Sequence, residues 1–263
     1  MSPIGVFDSG VGGLTVVKEL VRLLPAEDIV YFGDTARVPY GIKSKETVIR
    51  FSVENTLFLL KHNVKLVCVA CNTVSSCALP KIKNSFRVPI VGVISPGARE
   101  AVYATKNNRV GVIGTKGTIK SKAYEHEIKK LDPKVKVTAV ACPLFVPFVE
   151  EGWLNQDVVL TVAKHYLKPL KEAKVDTVIL GCTHYPLLKN VIKKVLGENI
   201  NLIDSAKQVA IEVKKILSDE EILNSRRCGR SQFFVSDNPE WFEELAGRFL
   251  GKPVKNVRKV SSV

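Results

Sequence analysis

The chain has 263 residues, 46% of them hydrophobic and 25% charged, and 39 Lys+Arg against 26 Asp+Glu give a formal net charge of +13. That length and apolar share fit one large or two smaller folded domains and exclude a disordered chain. No run approaches the roughly eighteen uncharged apolar residues of a membrane span, and residues 1–8 lack the basic and apolar regions of an export signal, so a cytoplasmic protein without a membrane partner and with six reduced cysteines is expected.

Short apolar runs alternate with longer segments of helical period. A strand is predicted over 3–7, and Leu14, Val17, Leu20, Val21 and Leu24 mark one face of a helix that stops before Pro25. The next strand covers 29–32. After a loop through Tyr40 come a long helix over about 44–62, a buried-type strand at 66–70, a short helix after Thr73 and a strand at 90–94. The second stretch keeps this rhythm, with strands at 110–113, 135–140, 177–180 and 201–203. Its helices fall near 120–131, at 156–173, along Leu188, Val191, Ile192, Val195 and Leu196, and at 206–217. A strand at 232–235 and a helix from Glu240 complete the order. Continuous apolar strands between helices imply an α/β fold of one or two doubly wound parallel-sheet units, with ligands at the carboxyl ends of strands.

The positive charge is uneven. Residues 246–263 hold five basic residues and no acid, and residues 106–136 hold nine basic against three acidic, without the repeated interleaving of aromatics that a nucleic-acid surface would show. They read as solvated helix faces and a tail whose field draws in an anionic substrate, and not as a nucleic-acid surface. A salt-sensitive nucleic-acid binder stays open as an alternative from the charge alone.

The most informative pattern is internal. Lys65-Leu-Val-Cys-Val-Ala-Cys71-Asn72-Thr73 and Asp176-Thr-Val-Ile-Leu-Gly-Cys182-Thr183-His184 each run as a strand, a cysteine and two polar residues before a helix, 111 residues apart. Two similar units would each present one thiol at a strand end. A thiol at a strand-to-helix junction faces unpaired N–H groups, which are expected to favour the thiolate and lower its pKa from about 8.5. Asp8 and Ser9 follow the first strand and Asp34 the second. Asp8 alternatively only caps the following helix. The turn Gly10-Val11-Gly12-Gly13 departs from the dinucleotide fingerprint and Gly111–Thr118 from the phosphate-loop pattern, so neither supports a nucleotide cofactor. Cys68 and Cys71 have Cys-x-x-Cys spacing, but three residues along a strand turn side chains to opposite faces, and no second pair completes four ligands. No metal site is expected, a structural zinc protein being the lesser alternative.

The ordered motifs Asp8-Ser-Gly-Val-Gly-Gly-Leu14, Gly33-Asp-Thr35, Pro39-Tyr-Gly41, Ala70-Cys-Asn-Thr73, Val146-Pro-Phe-Val-Glu-Glu-Gly152 and Gly181-Cys-Thr-His-Tyr-Pro186 resemble those of the cofactor-independent glutamate racemases of the Asp/Glu racemase superfamily, over essentially the whole chain. Phe148, where an aliphatic residue is expected, is the one noted departure. The resemblance implies two pseudo-symmetric α/β domains with the active site between them, residues 1–97 plus 208–263 forming the first and 98–207 the second. It implies that Cys71 and Cys182 exchange base and acid roles, that Asp8 assists Cys71, and that Glu150 and His184 assist Cys182. Glu150 is chosen over Glu151 by motif position. Asp8, Ser9, Tyr40, Gly41, Asn72, Thr73, Thr183 and His184 would bind substrate or shape the site. The implied partner is glutamate, with no cofactor and D-glutamate destined for peptidoglycan; an aspartate-specific relative and a homodimer are left open. Cys68, Cys77, Cys142 and Cys228 are assigned to packing.

Overall fold

The computed structural model describes residues 2–225 and 228–260. The first elements are β1 (Ile4–Asp8), α1 (Leu14–Leu23), β2 (Ile29–Gly33), α2 (Lys45–Leu60), β3 (Leu66–Val69), α3 (Asn72–Cys77), α4 (Leu79–Ser85), β4 (Ile90–Gly92) and α5 (Ile94–Ala104). There follow β5 (Arg109–Gly114), α6 (Lys116–Ser121), α7 (Ala123–Leu131), β6 (Lys136–Ala141), α8 (Phe145–Glu150), α9 (Asp157–Glu172), β7 (Thr177–Gly181), α10 (Lys189–Leu196) and β8 (Asn201–Asp204). The last are α11 (Ser205–Asp219), β9 (Ser231–Val235), α12 (Pro239–Leu250) and β10 (Arg258–Lys259).

These strands form two sheets, one ordered β10-β9-β2-β1-β3-β4 and the other β6-β5-β7-β8, and every pairing is parallel. The order β2-β1-β3-β4 repeats as β6-β5-β7-β8. In each, the chain builds outward on one side of the first strand and then crosses to the other, which leaves a crevice at the carboxyl ends of β1 and β3, and of β5 and β7. The helices satisfy their first N–H groups locally where the sequence offers a cap: Ser44 accepts from Thr47 N at 3.2 Å and Asn238 from Trp241 N at 3.1 Å.

Alternation along the strands sorts the core. Ile4, Val6, Leu66 and Cys68 join a cluster that runs continuously into Val110, Val112 and Ile179 of the second sheet. Phe7, Val67, Val69 and Cys71 point the other way, into a cluster with Phe58 and Leu59 of α2. Cys68 and Cys71 thus lie on opposite faces.

Several predicted elements are revised. The strand predicted over 90–94 ends at Gly92, because Ser95-Pro96 opens the unpredicted α5. The helix predicted over 120–131 is two, broken at Lys122, whose φ is +54°. Helix α8 was not anticipated in a segment carrying Pro143 and Pro147. Cys182 is followed by a 3-10 turn over Tyr185–Leu188 and only then by α10, so the helix matching α3 starts late. Cys228 is exposed beside Gly229, outside any strand or helix, and is not a packing residue. The domain boundaries expected after 97 and 207 fall inside α5 and α11.

Candidate active site

A cavity of about 270 Å³ opens between the carboxyl ends of the two sheets. The first sheet's connections contribute Ser9, Tyr40, Gly41, Cys71, Asn72 and Thr73, and the second sheet's contribute Thr115, Lys116, Glu150, Cys182, Thr183 and His184. Every residue the sequence singled out for the site is therefore on this wall except Asp8. Its carboxylate turns back into the glycine turn, where Oδ2 accepts from Gly10 N at 3.2 Å and Gly13 N at 3.0 Å. Asp8 thus braces the chain between β1 and α1, while Oδ1 is buried with no hydrogen-bond partner.

The glycines of that turn have a steric reason. A Cβ on Gly12 would stand 2.3 Å from Thr183 Oγ1 and 2.5 Å from His184 Nδ1, so only glycine lets the first sheet's turn approach the second sheet's motif. Thr15 Oγ1 donates to Thr183 O at 3.3 Å across the same junction. On the other side of the cavity Thr73 Oγ1 lies 2.9 Å from Thr115 Oγ1.

Cys71 occupies the position just before α3, without a side-chain cap bond, and its thiol donates to Ser9 Oγ at 3.8 Å. The helix N-terminus was expected to lower its pKa; instead burial, reinforced by the Asp8 carboxylate, pushes the thiol up to about 12. The lowering contributions, a backbone N–H of α3 and the Ser9 hydroxyl, are outweighed because the thiolate would be desolvated. Burial likewise raises Asp8, against the pull of His184.

Cys182 has different company. Its Sγ is 3.9 Å from His184 Nδ1, and His184 Nε2 is 2.9 Å from Glu150 Oε1. Burial opposes charge on His184, but its contacts to Cys182 and Glu150 prevail and raise its pKa to about 10, so the ring is cationic at neutral pH. Glu150, on the last turn of α8, makes this contact, and the adjacent Glu151 is exposed.

Tyr40 lines the cavity with its ring, but its hydroxyl donates to the buried Asp34 carboxylate and accepts from Asn55 Nδ2 at 3.2 Å. Asp34 also receives Arg37 Nε and, at 2.9 Å, Ser236 Oγ. Tyr124, not picked out from the sequence, donates to Asn72 Oδ1 at 2.7 Å. Thr115 and Lys116 were also missed; they follow β5 as Ser9 follows β1, so the repeated strand order was the clue. Among the described residues no cluster of three or more His, Cys, Asp or Glu is arranged to hold a metal, and no helix is long and apolar enough to cross a membrane.

A family model described as Asp/Glu/hydantoin racemase matches residues 4–212. The chain belongs to the Asp/Glu/hydantoin racemase family. Within that racemase family it is 53% identical over 259 residues to a glutamate racemase of Geobacter metallireducens, covering 98% of this chain and 96% of the relative. Its fold superposes with a TM-score of 0.96 on a glutamate racemase of Bacillus anthracis, at 44% identity over 99% of this chain and 97% of that one. A Francisella tularensis glutamate racemase crystallised with D-glutamate gives a TM-score of 0.93 at 39% identity, over 99% and 97% of the two chains.

Proposed function

We propose that the protein interconverts L- and D-glutamate by proton transfer between Cys71 and Cys182 without a cofactor, and so supplies D-glutamate for peptidoglycan. The observation that carries this reading is the pair of thiols, each following the equivalent strand in two sheets of the same order, both lining the cavity between those sheets. The names of the relatives point to the same substrate.

Inverting an α-carbon needs a proton taken from one face and another given to the opposite face. In our reading one cysteine, as thiolate, takes the α-proton and becomes a thiol. The resulting carbanion takes the proton of the other thiol on its far face, leaving that sulfur as the thiolate. Charge and protons balance, and the enantiomer produced meets the enzyme in the state that catalyses the reverse reaction. His184, cationic and 3.9 Å away, is available to pair with Cys182 when that sulfur is anionic. Asp8, whose carboxyl burial pushes up, stands behind Cys71 and assists proton movement there.

The α-proton of an amino acid is poorly acidic, so donors must be set before the charge develops. Ser9, Thr73, Thr115 and Thr183 supply hydroxyls. Because Tyr124 occupies Asn72 Oδ1, the Asn72 amide N–H group is the one left for a substrate carboxylate. Lys116 adds a cation for a dicarboxylate. The two sheets belong to two domains, 1–97 plus 208–263 and 98–207, which enclose the substrate between them.

The test is a competition of L-glutamate and L-aspartate with the purified protein in buffer free of pyridoxal phosphate, with chiral chromatography as the readout. D-glutamate should form with D-aspartate at background. Preferential D-aspartate, or no D-amino acid, overturns the proposal.

A further inference from the structure

Arg248 and Phe249, consecutive at the C-terminal end of α12, belong to the six-stranded side of the molecule yet touch the two partners of Cys182. Arg248 Nη1 donates to the backbone carbonyl of Glu150 at the end of α8. The following turn is shaped to the guanidinium: Gly152 has a φ of +74°, and a Cβ there would stand 3.1 Å from Arg248 Cζ. The Phe249 ring meets the His184 ring edge-on, with centroids 5.1 Å apart and planes at 79°. Phe249 is buried while Arg248 is exposed, so one seals the imidazole from water and the other fixes the glutamate backbone. Helix α12 is itself anchored on its own side, packing on α1 and following β9.

We propose that Arg248 and Phe249 are positioning residues that hold the Glu150–His184 pair in line with Cys182, so that docking of the C-terminal helix sets proton transfer on that side of the substrate. The inference rests on the two-thiol reading, but its geometry is testable apart from activity. The groups that face His184 are Cys182 Sγ, Thr183 Oγ1 at 3.3 Å, the Glu150 carboxylate, the ring of Phe249 and, through space, the buried Asp8 carboxyl. Only the Glu150 contact depends on Arg248.

The experiment is an NMR titration of His184 in the full chain labelled at its four histidines, assigned through His184→Asn, together with steady-state kinetics. Loosening Glu150 in Arg248→Ala should move the His184 titration down by about one pH unit. It should also lower kcat about tenfold with a much smaller change in KM, because misplaced groups lose rate before they lose binding. Arg248→Lys, which keeps a donor for the carbonyl, should restore both, and Phe249→Leu should lower kcat in the direction of Arg248→Ala without lowering the titration, because water admitted to the ring relieves the burial that opposes its charge. An unmoved titration in Arg248→Ala, or a Lys variant that behaves like the Ala variant, overturns the inference. Full racemisation by Cys182→Ala would instead overturn the two-thiol reading and leave the titration to decide the positioning role.

Discussion

Around Cys71 stand a buried carboxyl and a hydroxyl; around Cys182 stand an imidazole and a half-buried glutamate. Yet both cysteines follow the third strand of sheets laid down in the same order. The partners also come from different places in the repeat. Asp8 ends the first strand of its sheet, whereas Glu150 lies in the connection after the second strand of the other, where the first sheet has the Asp34–Tyr40 network. Repetition of the fold thus brings two thiols to one cavity without giving them equivalent electrostatics. On one side burial works against charge, with the Cys71 thiol pushed up to about 12, whereas on the other the contacts of His184 favour its charged form and raise it to about 10. Under the two-thiol proposal, the two mirror-related substrates would meet these unlike surroundings from opposite sides.

The largest effect should come from removing either thiol. Cys71→Ala and Cys182→Ala should each lower racemisation by at least about 10³-fold, within the range for loss of a positioned acid or base. A chiral assay that finds one variant fully active breaks the equivalence of the two positions. Next, Asp8→Asn and Glu150→Gln should each cost about 10²-fold in kcat. They should part in their pH profiles, Glu150→Gln altering the alkaline limb set by His184 and Asp8→Asn leaving it in place. Identical profiles would count against separate partners for the two thiols.

Smaller effects concern stability. The folded chain keeps His184 protonated up to a pKa of about 10, against an ordinary value of 6.5. Its contribution is full below about pH 6.5 and is lost as pH rises through about 10, because the unfolded chain releases that proton first. The urea midpoint should fall over this window more steeply in the parent than in His184→Asn, and equal slopes would contradict the raised pKa. Gly12→Ala should destabilise by about 1–3 kcal/mol, the usual range for overpacking, because its Cβ drives against Thr183 and His184. An unchanged unfolding midpoint would show that the two halves separate there without cost.

The α/β class and the two thiols were legible because both are written locally: continuous apolar strands between helical periods, and one motif repeated after equivalent strands. Helix α8 was hidden by two prolines and its short length, and α5 by an apolar run that passes from β4 into the helix without a break. The reversed direction of the Cys71 shift has a deeper cause. A helix N-terminus is visible in sequence, whereas the burial that outweighs it follows from how Phe58, Leu59 and Val74 close around that face. Asp8 was read as part of the site wall, but its orientation is set by the N–H groups of Gly10 and Gly13, which no residue pattern displays. Arg248 and Glu150 are 98 residues apart, and nothing in either segment points to the other.

The central claim, two opposed thiols acting on one α-carbon, is tested most directly by racemising L-glutamate in heavy water and following the α-position at early times by mass spectrometry and chiral separation. The D-glutamate formed first should carry deuterium from the solvent-exchanged thiol, while the remaining L-glutamate keeps its own hydrogen. D-glutamate that retains the substrate hydrogen, or deuterium appearing equally in both enantiomers from the outset, would mean that a single base serves both faces and would contradict the account.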